Sequence, residues 1–157
     1  VSAQERIEAA NAKKAAAEAR QGLLQEEFDA DFAEQEAIDF DALVALQEEH
    51  GIGRIEKVSI DSWKQGIGAA TMVVCRVPLA SESYFRRFEQ TISKKDSTVN
   101  PSDAGRTLAR SCQIYPSEKA QPELYKATMN LADGALSKLA VLIVNAVQGR
   151  ADEEKKG

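Results

Sequence analysis

Between Gln21 and Gly53 the chain carries ten carboxylates and neither a lysine nor an arginine. Interleaved with them are Leu23, Leu24, Phe28, Phe32, Ile38, Phe40, Leu43, Val44 and Leu46. No other feature constrains the fold as much. Like charges at this density repel, and the apolar residues among them need cover. A segment of this kind docks, either onto the rest of its own chain or onto a basic partner. It points to an interaction protein rather than an enzyme.

The charge balance sharpens this reading. Residues 1–50 hold 4 basic and 13 acidic groups, whereas residues 51–157 hold 16 basic and 12 acidic groups. The net charge of −5 therefore conceals an acidic first third and a basic remainder. A net-acidic chain without a basic cluster argues against nucleic acid as the main ligand. No apolar run approaches the length of a membrane span. The first residues show no basic start followed by an apolar block, so no secretory signal is expected. Cys75 and Cys112 sit in apolar neighbourhoods and read as buried free thiols of a reducing cytoplasm.

Residues 2–21 are rich in Ala, Glu, Lys, Arg and Gln, with little apolar payload beyond Ile7. That composition predicts a helix, marginal when alone. Gly22 weakens the pattern. Leu24, Phe28 and Phe32 then step by four, which puts them on one helical face. A second helix is expected from Phe40 to Glu49, N-capped by Asp39. Gly51 suits the left-handed position after it.

The body begins at Gly51. Residues 54–60 read as a short strand, and residues 61–68 as a turn region around Trp63. Residues 69–77, dense in β-branched side chains, read as a second strand broken by Pro78. The two are expected to pair as a hairpin. Helices follow. Ser81 is the expected N-cap of the first, with Glu82 in its first turn and Tyr84, Phe85, Phe88 and Ile92 as its apolar stripe. Asn100-Pro101 opens the next, with Leu108, Ala109, Cys112 and Tyr115 on its buried face and Pro116 as its stop. Gln121-Pro122-Glu123 begins a short third helix. Asp133 is the expected cap of the last, which carries Leu136, Leu139, Ala140, Leu142, Ile143 and Val147 and ends at Gly149. Residues 150–157 read as a disordered charged tail.

Catalytic motifs are absent from the sequence. His50 is the only histidine and reads as an exposed helix end. No nucleophile-elbow sequence accompanies it. Two cysteines 37 residues apart do not have zinc-site spacing. Gly51-Ile52-Gly53 and Gly66-Ile67-Gly68 lack both the third glycine of a dinucleotide motif and the Gly-Lys-Ser/Thr of a P-loop. The run from Asp29 to Glu34 lacks the sixth-position glycine of a calcium loop. No metal and no cofactor are therefore expected. Arg86 and Arg87 beside Tyr84, Phe85 and Phe88 could suggest base stacking, but helical spacing makes the aromatics core and the arginines a wet face. Lys94 and Lys95 add positive charge there, and this is a patch onto which the acidic arm could fold back.

In the second half the order of features becomes familiar. A strand ends in Val74-Cys75-Arg76-Val77-Pro78, and a helix with Tyr84 and Phe88 follows. Then come Leu108-Ala109-Arg110-Ser111-Cys112-Gln113-Ile114-Tyr115-Pro116 and a terminal apolar helix from Leu139 to Val147. About half the chain thus resembles the tail assembly chaperones of long-tailed bacteriophages. The family's usual proline–glycine turn before the last helix is here Leu131-Ala132-Asp133-Gly134, and the acidic arm is longer. The resemblance implies a non-enzymatic protein of the bacterial host cytoplasm. It would bind and solubilise the tape-measure protein, or another long helical tail protein, and would self-associate. The alternative is a small structural virion or scaffold protein that stays in the particle.

The expected architecture is α+β and mostly helical: an acidic helical arm (1–50), partly flexible, then a small domain (51–149) of a two-stranded hairpin and about four short helices. Met72, Val74, Tyr84, Phe88, Leu108, Cys112, Tyr115, Leu139 and Ile143 are expected in the core. Phe28, Phe32, Phe40, Leu43 and Leu46 are expected to line the arm's partner-binding face.

Overall fold

The computed structural model describes residues 1–63, 68–94 and 98–156, with side chains through Arg150. Gly66, Ile67 and Lys95 lie outside the described residues. The chain divides into two compact units, residues 1–35 and 36–157.

Residues Ala3–His50 form one helix, α1, of 48 residues. It supplies nearly all of the first unit and opens the second. Two helices with a break near residue 39 were expected. The segment has no proline, and strong helix formers surround Gly22, so a single glycine costing about 1 kcal/mol does not end it. Asp39 is correspondingly not an N-cap; it lies inside the helix and is fully buried. The helix stops where expected. Gly51 has φ +93° and ψ 141°, a conformation open to glycine but not to a residue with a Cβ, and its amide donates to Gln47 O at 2.8 Å. A single 3-10 turn, Ile52–Arg54, leads into the sheet.

Among the described residues the sheet has three antiparallel strands in the order β1 (Ile55–Ser59), β2 (Met72–Arg76) and β3 (Gln113–Tyr115). β1 and β2 pair from Ile55↔Arg76 to Ser59↔Met72, as the hairpin reading expected. β3 was not expected: residues 113–115 read as the end of a helix because Leu108, Cys112 and Tyr115 fit helical spacing. Helix α3 (Pro101–Cys112) instead ends at Cys112, Gln113 turns extended, and Tyr115 pairs with Val74 across an irregularity in the ladder. Pairing on both sides makes β2 the central strand, and Met72 through Cys75 are all buried.

Alternation along β2 divides the core in two. Val73, Cys75 and Val77 join Phe85, Leu108, Cys112, Leu136, Leu139, Ile143 and Val147. Met72 and Val74 join Leu43, Ile55, Ala70 and Tyr115. The last turns of α1, through Leu43 with Ala42 and Leu46 beside it, cover one face of the sheet. Helices α3 and α5 (Asp133–Lys156) cover the other.

Among the described residues four helices follow β2: α2 (Ser83–Ser93), α3, α4 (Pro122–Met129) and α5. The N-cap of α2 is Glu82 rather than Ser81, and its carboxylate accepts from Arg76 at 2.7 Å instead of capping the helix. Asn100 caps α3 as expected, accepting from the Ser102 amide at 2.8 Å. Asp133 lies in the first turn of α5. That helix is longer than expected, continuing past Gly149 to Lys156, where a disordered tail was foreseen. Trp63, read as part of a turn, is a core residue; its indole N–H donates to Ala69 O at 2.8 Å.

Candidate partner-binding surfaces

The amphipathic helices of the body contain more apolar side chains than one inner face can bury. In α2, Phe85 takes the core position and Phe88 is half-buried, which leaves Tyr84 47% and Ile92 49% exposed. Tyr84 was expected in the core and is not there. A stripe at i, i+1 and i+4 spans more of the helix than a single packed neighbour covers. In α5, Leu136, Leu139, Ile143 and Val147 share the inner face, while Val141 is turned outward and 60% exposed. Val99, ahead of α3, is 48% exposed.

These residues surround two adjoining depressions. One, of about 220 Å³, lies between α2 and α3 and is lined by Tyr84, Arg87, Phe88, Val99, Asp103 and Leu108 among others. The second, of about 400 Å³, lies between α3 and α5 and includes Pro101, Gly105, Ala140, Val141 and Val144. Phe88 lines both, so they form one apolar groove across three helices. Gly105 sets its floor. A Cβ there would stand 3.1 Å from that of Ala140, so glycine permits the close approach of α3 to α5. The three helices have a modest basic excess: α2 with Lys94, α3 and α5 carry nine Lys or Arg against six Asp or Glu.

The residues expected on the arm's contact face differ in burial. Phe28 and Phe32 are half-buried on α1. Phe40 is 56% exposed. Leu43 is 2% exposed and belongs to the core, with Leu46 packed against it. The correction follows from the sheet: residues 39–46 cover Met72, Val74 and Tyr115, and Leu43 points into that contact. Residues missed by the sequence reading, Val99 and Val141, had a weak signal. Val141 falls off the 3.6-residue period that unites Leu136, Leu139, Ile143 and Val147.

Among the described residues Asp39 is the buried carboxylate. Its carboxylate accepts from the Thr71 amide and the Thr71 hydroxyl, both at 2.6 Å, and from the Tyr115 hydroxyl. This ties α1 to the start of β2 and to β3. Thr128 makes a smaller junction, accepting from the Ala70 amide at 2.8 Å while donating to Leu124 O at 2.6 Å. Burial, reinforced by the Asp39 hydrogen bond and charge, pushes the Tyr115 hydroxyl up from its ordinary range. Burial likewise raises the thiols of Cys75 and Cys112. Both are free, and Cys75 donates to Ala109 O at 3.2 Å. Thiols held protonated in an apolar core are poor nucleophiles.

These shifts fix an alkaline limit to stability. Each folded-state value lies above its unfolded one, so the unfolded chain sheds these protons first as pH rises. The contribution is whole below the unfolded values, about 8.5 for Cys and about 10 for Tyr, and is lost above them. The urea midpoint should be flat up to about pH 8 and fall from about pH 9 to 11. Tyr115→Phe should lower the plateau yet make the fall shallower. An unchanged slope in that variant would remove Tyr115 from the account.

His50, half-exposed, stands 3.9 Å from Glu49 in a polar recess that also includes Arg54 and Arg76. Among the described residues, no three His, Cys, Asp or Glu side chains are grouped to hold a metal ion. No single described helix is long and apolar enough to cross a membrane. The bent pair α4–α5 passes that test by length and composition together, and its Leu136, Leu139, Ile143 and Val147 are core residues. Comparison of the chain with protein-family models, with curated proteins and with solved structures gives no significant match.

Proposed function

We propose that this chain is a non-enzymatic tail assembly chaperone of a long-tailed bacteriophage, which binds the tape-measure protein in the host cytoplasm and keeps it soluble. The observation that carries the reading is the apolar groove across α2, α3 and α5, with Tyr84, Val99 and Val141 exposed along it. A groove between helices suits an amphipathic helix that lays its apolar face into it. The basic surroundings favour a client helix with carboxylates beside its apolar stripe, and they speed encounter more than they tighten binding. The sequence features that resemble the chaperone family fall in β2, α2, the α3–β3 junction and α5. Those elements build the groove and the sheet beneath it.

The test is co-expression with the product of the longest reading frame just downstream, with one partner tagged and the eluate sized by light scattering. A soluble, salt-sensitive complex with several copies of this chain per partner is expected. A lone monomer beside an insoluble partner would remove the reading. Recovery of the chain from purified mature particles would instead favour a structural virion protein.

A further inference from the structure

We infer that the α2–α3–α5 groove takes the acidic stretch of α1, residues 23–36, from a second copy of this chain. The groove is then capped until a client displaces the arm. That purpose rests on the client-binding reading; the contact itself does not.

Three observations carry the inference. The first is charge. Residues 23–36 hold six carboxylates and no Lys or Arg, and the helices around the groove, with Lys94, hold nine basic groups against six acidic, Arg87 among those that line it. The second is apolar matching. Leu24, Phe28 and Phe32 recur every four residues, and Leu24 is 67% exposed. At 3.6 residues per turn Glu27 and Asp31 fall on one shoulder of that stripe, and Asp29 and Glu36 on the other. This is the pattern of a helix that seats apolar anchors in a groove and sets its charges on the rim. The third is that Leu23 and Leu24 of the arm, and Tyr84, Val99 and Val141 of the groove, are all exposed in the single chain. A second copy covers both sets at once. The contact joins two different surfaces. Exchanged reciprocally it makes an isologous two-fold dimer; unreciprocated it is heterologous and propagates.

Arg87 lines the groove and is exposed; Glu27 and Asp31 are exposed on α1. Charge reversal at these positions therefore tests the contact with little risk to folding. The full-length protein should associate in sedimentation or light scattering at about 0.05 M salt and weaken markedly at about 0.5 M. Arg87→Glu alone, and Glu27→Lys with Asp31→Lys, should each weaken association by roughly tenfold. An equimolar mixture of the two variant proteins should regain most of it, because the lysine-bearing arm of one meets the glutamate-bearing groove of the other. A monomer at every concentration would overturn the inference. So would association indifferent to the charges, or an arm protected from proteolysis independently of concentration, which would place it on its own body. The same variants separate this inference from the proposed function. Charge-dependent self-association beside an insoluble client would retain the contact and remove the chaperone role. A solubilised client with no self-association would do the reverse.

Discussion

Asp39→Ala is expected to destabilise the protein by about 3–5 kcal/mol, the largest effect of any single substitution considered for this chain. The carboxylate is fully buried and accepts hydrogen bonds from the Thr71 amide, the Thr71 hydroxyl and the Tyr115 hydroxyl. Its removal leaves the Thr71 amide without its acceptor inside the protein, and that amide cannot turn away. The Tyr115 hydroxyl is fixed nearly as firmly, because its ring is packed beside Leu43, Met72 and Val74. Each buried donor so orphaned costs about 1–3 kcal/mol, and the loss of the side chain adds a small void. Asp39→Asn keeps one carbonyl acceptor but turns an N–H₂ toward a donor, so an intermediate loss of about 2 kcal/mol is expected. Urea denaturation followed by far-UV circular dichroism measures both. An Asp39→Ala variant within about 1 kcal/mol of the parent would mean that water replaces these bonds, and the hub would not be what holds α1 to the sheet.

How much of this was legible in the sequence differs from element to element. The β1–β2 pairing announced itself through β-branched density and Pro78, and Asn100-Pro101 fixed the start of α3 through cap chemistry that needs no tertiary context. The α+β class followed from those local signals. Asp39 misled for a physical reason. Aspartate disfavours a helix interior and favours an N-cap, so an isolated reading puts a helix start there. Its true partners, Thr71 and Tyr115, are 32 and 76 residues away and invisible to a local pattern. β3 was lost in the same way: three residues gain their extended form by pairing with Val74 and Cys75, not from their own propensities. The candidate surface was only half legible. The acidic arm is written in the composition, but the groove exists only because α2, α3 and α5 meet. The exposure of Tyr84 in place of Phe85 depends on which side of α2 faces α3.

The second large effect separates two residues that sequence spacing grouped together. Leu43→Ala should cost about 2–5 kcal/mol, whereas Phe40→Ser should stay within about 0.5 kcal/mol of the parent. Both lie in α1 among residues read as one contact face. Leu43 is 2% exposed and packs with Ile55, Met72, Val74 and Tyr115, so its truncation opens a void beneath the sheet that close-packed neighbours cannot fill. Phe40, 60° round the helix, is 56% exposed. The larger side chain is thus predicted to matter less to stability, the opposite of what size alone suggests. Urea midpoints for the two variants decide the point. Equal losses would mean that α1 sits rotated on the sheet, with Phe40 in the core. A loss at Leu43 alone would leave Phe40 available at the surface, so a binding defect in Phe40→Ser could then be assigned to a lost contact rather than to a damaged fold.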